Sequence, residues 1–360
     1  MREPRRRPLR LCTKSSSLRA SEALLPQTPR KESVRDQTSG GDATLKHTAL
    51  RRTPSMYPGR HKPQASTYAT NPRTLEVVSK LVSISCASSK IEALQVKQRT
   101  TNQYLRPQLH IILRSEPGSF KSTILHAVGK IWNITPYSNV TSPAMIGTID
   151  QSNGRLVPGL VWQTRNKPLL LDEFKTSERA DSTAVDVLLG TMESGYYKRK
   201  IGLPSAYSYE KDGTLFYRVE NGEIEVQTRF SAIIATMKNW DMERSGKYAA
   251  LTQRCIPIRY SLDNATIDAV LDGAGTYRHY EYTPAKAAQL TDKEFMRIRS
   301  LANEVRSKNE QLRTVYVRTI DDLCRIQAVT GKFDPELFRI VCNLKAGLHL
   351  EQAIQPLKEP

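Results

Sequence analysis

Four short apolar runs dominate the pattern of hydrophobic positions in the middle of the chain. Runs of this length, rich in branched side chains and without polar alternation, are typical of strands that are buried on both faces of a parallel sheet. Segments with helical spacing lie between the runs. The sequence therefore predicts an α/β fold, a parallel sheet covered by helices. The four runs are PQLHIIL (107–113), KPLLLDEF (167–174), FSAIIATM (230–237) and CIPIRYSL (255–262).

The remaining pattern predicts additions to this sheet. Residues 74–94 have helical spacing and are expected to form a helical collar before the first strand. Two short extended pieces flank the Ser152-Asn153-Gly154 turn, and residues 196–230 alternate in strand fashion through turns at 211–213 and 220–222. From about residue 263 the pattern is helical. We thus expect β-hairpin insertions and a C-terminal all-α lid, with a nucleotide-binding domain at 71–262 and the lid at 263–360.

The N-terminal segment differs from the rest in composition. Residues 1–70 contain fifteen Lys and Arg against five Asp and Glu, which is ten of the net eighteen positive charges of the 360-residue chain. Such a segment is expected to be disordered. Two alternatives stay open: its Arg- and Ser-rich start resembles an organelle transit peptide, or translation begins at Met56.

Charge and cysteine content narrow the class of protein. A strong positive charge favours polyanionic partners, nucleic acid above all, although a solvated basic surface is the plainer alternative. No run approaches the ~20 apolar residues of a membrane span, so no membrane partner is expected. Five scattered cysteines without a C-x-x-C pair argue against a disulfide framework and against a structural zinc site. These features predict an intracellular protein.

The stretch SEPGSFKST (115–123) directly follows the first apolar run. It matches the phosphate-loop pattern G-x-x-x-x-G-K-[ST] except that Ser115 and Phe120 stand at the two glycine positions. In such a loop Lys121 would neutralise the β and γ phosphates, and Ser122 would ligate Mg²⁺. Because a left-handed backbone costs a non-glycine residue about 1–2 kcal/mol, Phe120 would fit this loop only if its backbone stays in an ordinary region. A chance turn is the alternative. The candidate ATP-binding residues are Glu116, Pro117, Gly118, Ser119, Phe120, Lys121, Ser122 and Thr123.

The second apolar run ends in a pair of carboxylates, Asp172 and Glu173. In a parallel sheet the carboxyl ends of the strands meet at one edge, so this pair is expected beside the loop. One carboxylate, Asp172, would then hold Mg²⁺ through water, and the next, Glu173, would orient and deprotonate the attacking water. A surface acidic pair that closes a strand is the alternative.

Taken in order, SEPGSFKSTIL, LLLDEF and LLGTMESG resemble the AAA+ core of minichromosome-maintenance (MCM) helicases. That family's loop reads approximately G-D-P-G-x-A-K-S, so its members regularly have a residue other than glycine before the lysine. The segment AMIGTIDQSNGRLVPGLV resembles the family's insertion ahead of the Walker B strand, and TAVDVLLGTMESGYYKRKIG its helix and pre-sensor hairpin. The resemblance spans about residues 105–330. It does not extend to the family's N-terminal domain, which favours a smaller viral or mobile-element relative.

The resemblance also nominates residues that act on the γ-phosphate. ALTQRCIPI resembles the element with the arginine finger, which indicates Arg254, and VRTIDDLCRI resembles the lid helix with the sensor-two arginine, which indicates Arg318. An arginine finger completes a neighbour's site, so a ring, most often a hexamer, is implied. Arg254 could instead cap its own helix. The family's sensor-one strand ends in Asn, but Met237 stands at that position here. Thr236 or Asn239 would have to supply the polar side chain that helps to position water, and Asn239 is favoured.

A hairpin rich in cations is the candidate DNA contact. YYKRK (196–200) combines three cations with two aromatics, which suits contact with phosphates and stacking on bases. By resemblance this hairpin faces a central channel that holds single-stranded DNA. Lys211 is a second candidate, and a solvated strand is the alternative. The candidate DNA-binding residues are Lys198, Arg199, Lys200 and Lys211.

Together these features predict a ring-forming ATPase that uses ATP and Mg²⁺ to move on and unwind DNA, and that is associated with DNA inside the cell. Two other functions stay open. One is a ring that remodels a protein or inserts a metal, as chelatase relatives do. The other is a degenerate DNA-binding ring without activity, which the residues at 115, 120 and 237 would suggest.

Overall fold

The computed structural model of the chain describes residues 72–138, 140–150, 152, 156–174, 182–200, 207–211, 214–220, 222–237, 246–264, 267–268 and 277–355. The described residues belong to one compact unit. The segment predicted to be disordered, 1–70, lies outside the described residues.

The described part of the chain is a mixture of helices and strands. The helices are α1 (Pro72–Ser88), α2 (Lys121–Trp132), α3 (Ser142–Ile146), α4 (Leu160–Gln163), α5 (Ser182–Ser194), α6 (Gly246–Arg254), α7 (Asp292–Lys308), α8 (Tyr316–Thr330), α9 (Pro335–Lys345) and α10 (Leu350–Ile354), with a 3₁₀ turn at Glu310–Val315. The strands are β1 (Ala93–Gln98), β2 (Thr101–Leu105), β3 (Ile111–Ser115), β4 (Gly147–Ile149), β5 (Leu156–Pro158), β6 (Lys167–Leu171), β7 (Tyr196–Lys200), β8 (Tyr207–Lys211), β9 (Thr214–Glu220), β10 (Glu223–Gln227), β11 (Phe230–Met237), β12 (Ile256–Arg259) and β13 (Ala287–Leu290).

The four apolar runs form one parallel sheet, so the predicted α/β class is confirmed. The strand order is β12-β3-β11-β6, and every neighbouring pair is parallel. Past β6, Tyr137 makes a parallel bridge to Leu171 at the outer edge. The chain leaves β3, skips one position to β6, and returns to insert β11 between them. Because the connections run to both sides of β3, the carboxyl end of β3 is the place where an α/β sheet binds ligands.

The predicted hairpins are also present. β4 pairs antiparallel with β5. A separate antiparallel sheet has the order β7-β10-β9-β8, and it carries the YYKRK strand on its edge. In β10 (EIEVQ) polar and apolar residues alternate, the pattern of a strand with one face in water.

The C-terminal part is not all-α, contrary to expectation. β13 lies within it and pairs in parallel with β1, which in turn pairs with β2. The collar helix is also shorter than its apolar pattern suggested, because the hydroxyl groups of Ser88 and Ser89 bond back to carbonyls of the last turn. The chain then turns, and the backbone N–H of Glu92 donates to Lys286, next to β13. Strand pairing with a distant segment has overridden local helical spacing.

One hydrophobic cluster joins the C-terminal helices to the sheet. It contains buried residues of α1, β3 and α2 together with residues of α7, α8 and α9. The four described cysteines, Cys86, Cys255, Cys324 and Cys342, are buried and free. Among the described residues, no helix is long and apolar enough to cross a membrane.

Candidate functional site

The loop between β3 and α2 has the form of a phosphate loop, and its backbone is strained. Gly118 has a φ of 77° and Phe120 a φ of 61°, both in the left-handed region. The condition set for Phe120, an ordinary backbone conformation, is therefore not met. The second glycine position of the pattern still demands a left-handed residue here, and Phe120 meets that demand at a cost of about 1–2 kcal/mol. Strain of this kind is concentrated at functional sites.

The N-terminus of α2 is open toward this loop. Phe120 occupies the N-cap position, and no side chain caps the helix there. The first N–H groups of a helix have no partner within it, and they carry the positive end of the helix dipole. An anion at this point would therefore be bound by backbone donors.

Lys121 lies within the loop and holds it closed. Its Nζ donates to the carbonyl oxygens of Ser115 and Glu116, at 2.9 and 2.7 Å, and to the Ser119 hydroxyl at 3.0 Å. Burial lowers the pKa of Lys121, while the carboxylates of Asp172, Glu116 and Glu173 oppose that shift. The ammonium group thus occupies the centre of the loop, where an incoming phosphate would offer it stronger acceptors.

A buried tyrosine at the end of β12 supports the same loop. The Tyr260 hydroxyl donates to the carbonyl of Ser119 at 3.1 Å, and the Tyr260 side chain is only 1% exposed. The outermost strand of the sheet therefore fixes the conformation of the loop beside β3.

The structure brings Asp172 to the loop, as predicted. The Ser122 hydroxyl donates to Asp172 Oδ1 at 3.0 Å. A hydroxyl and a carboxylate oxygen side by side are hard oxygen ligands of the kind Mg²⁺ takes, and Mg²⁺ usually uses only one or two carboxylates and keeps several waters. The pair therefore fits the metal that was predicted. No group of three or more His, Cys, Asp or Glu side chains among the described residues is arranged to hold a metal ion.

Glu173 lies in a sharp turn that follows β6. The backbone N–H of Asp172 donates to Tyr137, on the outer side of β6, whereas that of Phe174 donates to Ala235 of β11, on the inner side. In a regular strand these two N–H groups would point to the same side, so the residue between them must break the strand, and Glu173 has a φ of 45°. Its side chain is exposed. Glu173, whose carboxylate is predicted to act on water, is thus the second residue at this site, after Phe120, with a strained backbone.

A cleft of about 370 Å³ lies between the loop and the ends of the strands. It is lined by the loop residues 117–123, by Asp172 and Glu173, and by the end of β11. Thr236 is on that strand end at 3% exposure, and its hydroxyl donates to the carbonyl of Met237 at 3.2 Å. Asn239, the favoured candidate for sensor one, lies outside the described residues.

The two arginines predicted to act on the γ-phosphate lie together, but away from this cleft. Arg254 Nε is 2.5 Å from a carboxylate oxygen of Glu193, and Arg318 Nη1 is 3.7 Å from the same oxygen. Arg254 also donates to the carbonyl of Ala250 in its own helix, the alternative role considered for it. Ile256 pairs with Ile111 at the start of β3, whereas the loop follows the end of β3. Neither arginine is brought to the loop of its own chain.

Two of the hairpin cations, Lys198 and Arg199, have partners within the fold. Lys198 forms ion pairs with Glu223 and Glu225 on β10, at 2.5 and 3.2 Å. Arg199 donates to the Ser142 hydroxyl. Lys200 is exposed. Lys211 ends β8, where its backbone pairs with Thr214, and its side chain lies outside the description.

Compared with models of known protein families and with curated proteins, the chain matches none.

The site has contributors that sequence reasoning missed. Tyr260 lies within the fourth apolar run and gives no motif signal, and Glu193 stands in the LLGTMESG segment without having been nominated. Only their contacts in the fold, with Ser119 and with the two arginines, indicate a role.

Proposed function

We propose that this protein binds and hydrolyses ATP with Mg²⁺. The observation that carries the proposal is the contact between Ser122 and Asp172, which joins a phosphate-type loop to a carboxylate pair from a strand 50 residues away. The open N-terminus of α2, the buried ammonium of Lys121 and the strained backbones of Phe120 and Glu173 support it independently.

Each residue has a defined part in this proposal. The loop amides and the N-terminus of α2 bind the phosphates, and Lys121 exchanges its loop carbonyl acceptors for phosphate oxygens. Ser122 and Asp172 would hold Mg²⁺, which when bound neutralises charge on the β and γ phosphates. Glu173 orients the attacking water and takes its proton, and Thr236 is placed to help position that water.

The proposal extends to assembly. Arg254 and Arg318 lie near the starts of the strands, whereas the loop lies at their ends, so the two arginines suit the site of a neighbouring copy rather than their own. An arginine that reaches a transferred phosphate from a neighbour raises the rate by about 10³-fold or more in related chemistry. A closed ring with the AAA+ architecture of MCM-like proteins is the arrangement that places every loop against such a pair.

DNA is the proposed partner of the ring, with movement on single-stranded DNA coupled to hydrolysis. The net charge of +18 and the cationic hairpin strand support this choice over a protein-remodelling or metal-inserting ring. The intact Lys121–Ser122 and Asp172–Glu173 pairs support an active enzyme over a degenerate ring.

The test is the rate of ATP hydrolysis by the purified chain with and without single-stranded DNA. We expect magnesium-dependent hydrolysis that DNA accelerates. Hydrolysis that DNA leaves unchanged would favour the remodelling or chelatase function, and DNA binding without any hydrolysis would favour the degenerate ring.

A further inference from the structure

A cleft of about 840 Å³ opens near the starts of the sheet strands, away from the phosphate loop. Its walls come from the segment before β3, from the start of β7 and from the segment before β11. Its volume is near the upper end of the range of ligand pockets, about 300–1,000 Å³. Nothing in the proposed hydrolysis uses it.

The charged side chains of this cleft are mostly cationic. Its lining includes three arginines, Arg106, Arg165 and Arg229, and one acid, Glu92. The ion pair between Arg229 and Glu92 is long, at 3.4 Å, and Glu92 is half exposed. Positive charge therefore exceeds negative charge in the cleft, which favours an anion as its occupant.

Arg106 is built into the base of the cleft. Its Nη2 donates to the carbonyl of Thr228 at 3.3 Å, and its Nε is buried without a hydrogen-bond partner among the described residues. Burial, together with the positive charges of Arg325 and Arg229, lowers the pKa of Arg106 to about 10. The fold has placed a cation where nearby cations oppose it, a cost that a bound anion would offset.

Gly195 makes room for this guanidinium. It has a φ of 70°, and a Cβ atom at this position would overlap Arg106 Nη1. The next residue, Tyr196, opens the hairpin strand β7. The base of the cationic cleft and the start of the proposed DNA hairpin are therefore packed against each other.

Two tyrosines at the rim present aromatic surface. Tyr104 on β2 is 75% exposed, and Tyr196 on β7 is 38% exposed. Both line the cleft. Tyr196 also shares the exposed face of β7 with Lys198 and Lys200, because side chains alternate along a strand. Cations in a groove with aromatics beside them are the means by which proteins bind single-stranded nucleic acid without sequence preference.

We propose that this cleft binds a stretch of single-stranded DNA, with its phosphates at Arg106, Arg165 and Arg229 and its bases stacked on Tyr104 and Tyr196. The inference rests on the proposed function for the identity of the polymer. It adds a binding surface at the base of the hairpin, where the single-stranded DNA would lie next to β7.

The test is the affinity of the full chain for a labelled oligothymidine, measured without ATP by fluorescence anisotropy over a range of salt. Two variants are compared with the unaltered chain. One is the single variant Tyr104→Ala, and the other is the double arginine variant, which combines Arg165→Gln and Arg229→Gln. The matched control is Lys308→Gln with Lys332→Gln, which removes two positive charges from the exposed surface of the C-terminal helices. Urea unfolding of each variant verifies that it is folded.

Tyr104→Ala is expected to weaken binding about 5-fold or more, the low end of the effect of losing one stacked base. The double arginine variant should flatten the log–log salt slope by about 0.7 for each lost contact, and the control should not. A folded Tyr104→Ala and a folded arginine variant that bind like the control would overturn the inference. So would equal competition by polyglutamate, which lacks bases.

The hairpin variant Lys198→Ala, Arg199→Ala, Lys200→Ala separates this inference from the proposed partner. If it loses binding while both cleft variants keep it, DNA remains the partner and the cleft is not its site. If the unaltered chain binds no oligothymidine at all, both the cleft and the proposed partner fail, whereas ATP hydrolysis is judged separately.

Discussion

Replacing Tyr260 with phenylalanine tests whether the fold holds the phosphate loop in a conformation ready to bind. The change removes one hydroxyl and keeps the buried ring. In the structure that hydroxyl donates to the Ser119 carbonyl at 3.1 Å, and Ser119 is itself only 5% exposed. The loop of Tyr260→Phe therefore loses a support that water does not easily replace.

The size of the effect follows from these contacts. A neutral hydrogen bond contributes about 0.5–1.5 kcal/mol, and a buried acceptor left unsatisfied costs about 1–3 kcal/mol. We expect the free energy of unfolding to fall by about 1–2 kcal/mol. Because the loop can then leave its binding conformation, ATP affinity should fall as well, and 1.4 kcal/mol corresponds to about tenfold. We therefore expect the affinity for ATP to fall about three- to tenfold.

The assay is urea unfolding together with titration of a fluorescent ATP analogue. Tyr316→Phe is the matched control, because it loses a hydroxyl contact with Asn303 between α7 and α8 and leaves the loop untouched. It should be destabilised without losing affinity for ATP. If Tyr260→Phe binds the analogue as well as Tyr316→Phe does, the loop does not depend on this support and the reasoning is refuted.

Two further predictions concern DNA and assembly. The triple variant Lys198→Ala, Arg199→Ala, Lys200→Ala should lower affinity for single-stranded DNA and flatten its salt slope by about 0.7 per lost contact, with basal ATP hydrolysis retained; an unchanged slope would remove the hairpin as the contact. Arg254→Ala should bind ATP almost normally and hydrolyse it poorly, since the charge it would meet develops mainly in the transition state. Mixed with Lys121→Ala it should regain some activity, because an intact loop can meet an intact arginine at a mixed interface. Mixed rings that form but stay inactive would exclude a shared site.

The sheet was predictable from sequence because its strands are buried on both faces, and such strands are uninterrupted apolar runs. FSAIIATM coincides with β11, Phe230–Met237. The first run was placed earlier than β3, because residues 107–110 are buried but lie outside the ladder with β11 and β12. β13 was missed since it is four residues long, with only its last residue buried, so its pairing with β1 leaves little local trace.

The candidate site was predictable where chemistry is local in sequence. Lys121, Ser122 and Asp172 each belong to a short motif, and the topology brings them together. The left-handed backbone of Phe120 was not predictable, because the energetic cost of the residue argued against the conformation that the loop imposes. The pairing of Arg254 and Arg318 on Glu193 depends on how α5, α6 and α8 pack, and no single segment encodes that.

The proposed ATP hydrolysis depends on two separate roles: Lys121 binds phosphate, and Glu173 acts only on water. The most direct measurement compares ATP binding and ATP hydrolysis in Lys121→Ala and in Glu173→Gln, with both variants verified as folded. Lys121→Ala should lose binding, because its contacts form in the ground state, whereas Glu173→Gln should retain binding and lose hydrolysis. Normal hydrolysis in Glu173→Gln, or undiminished ATP binding in Lys121→Ala, would contradict the account.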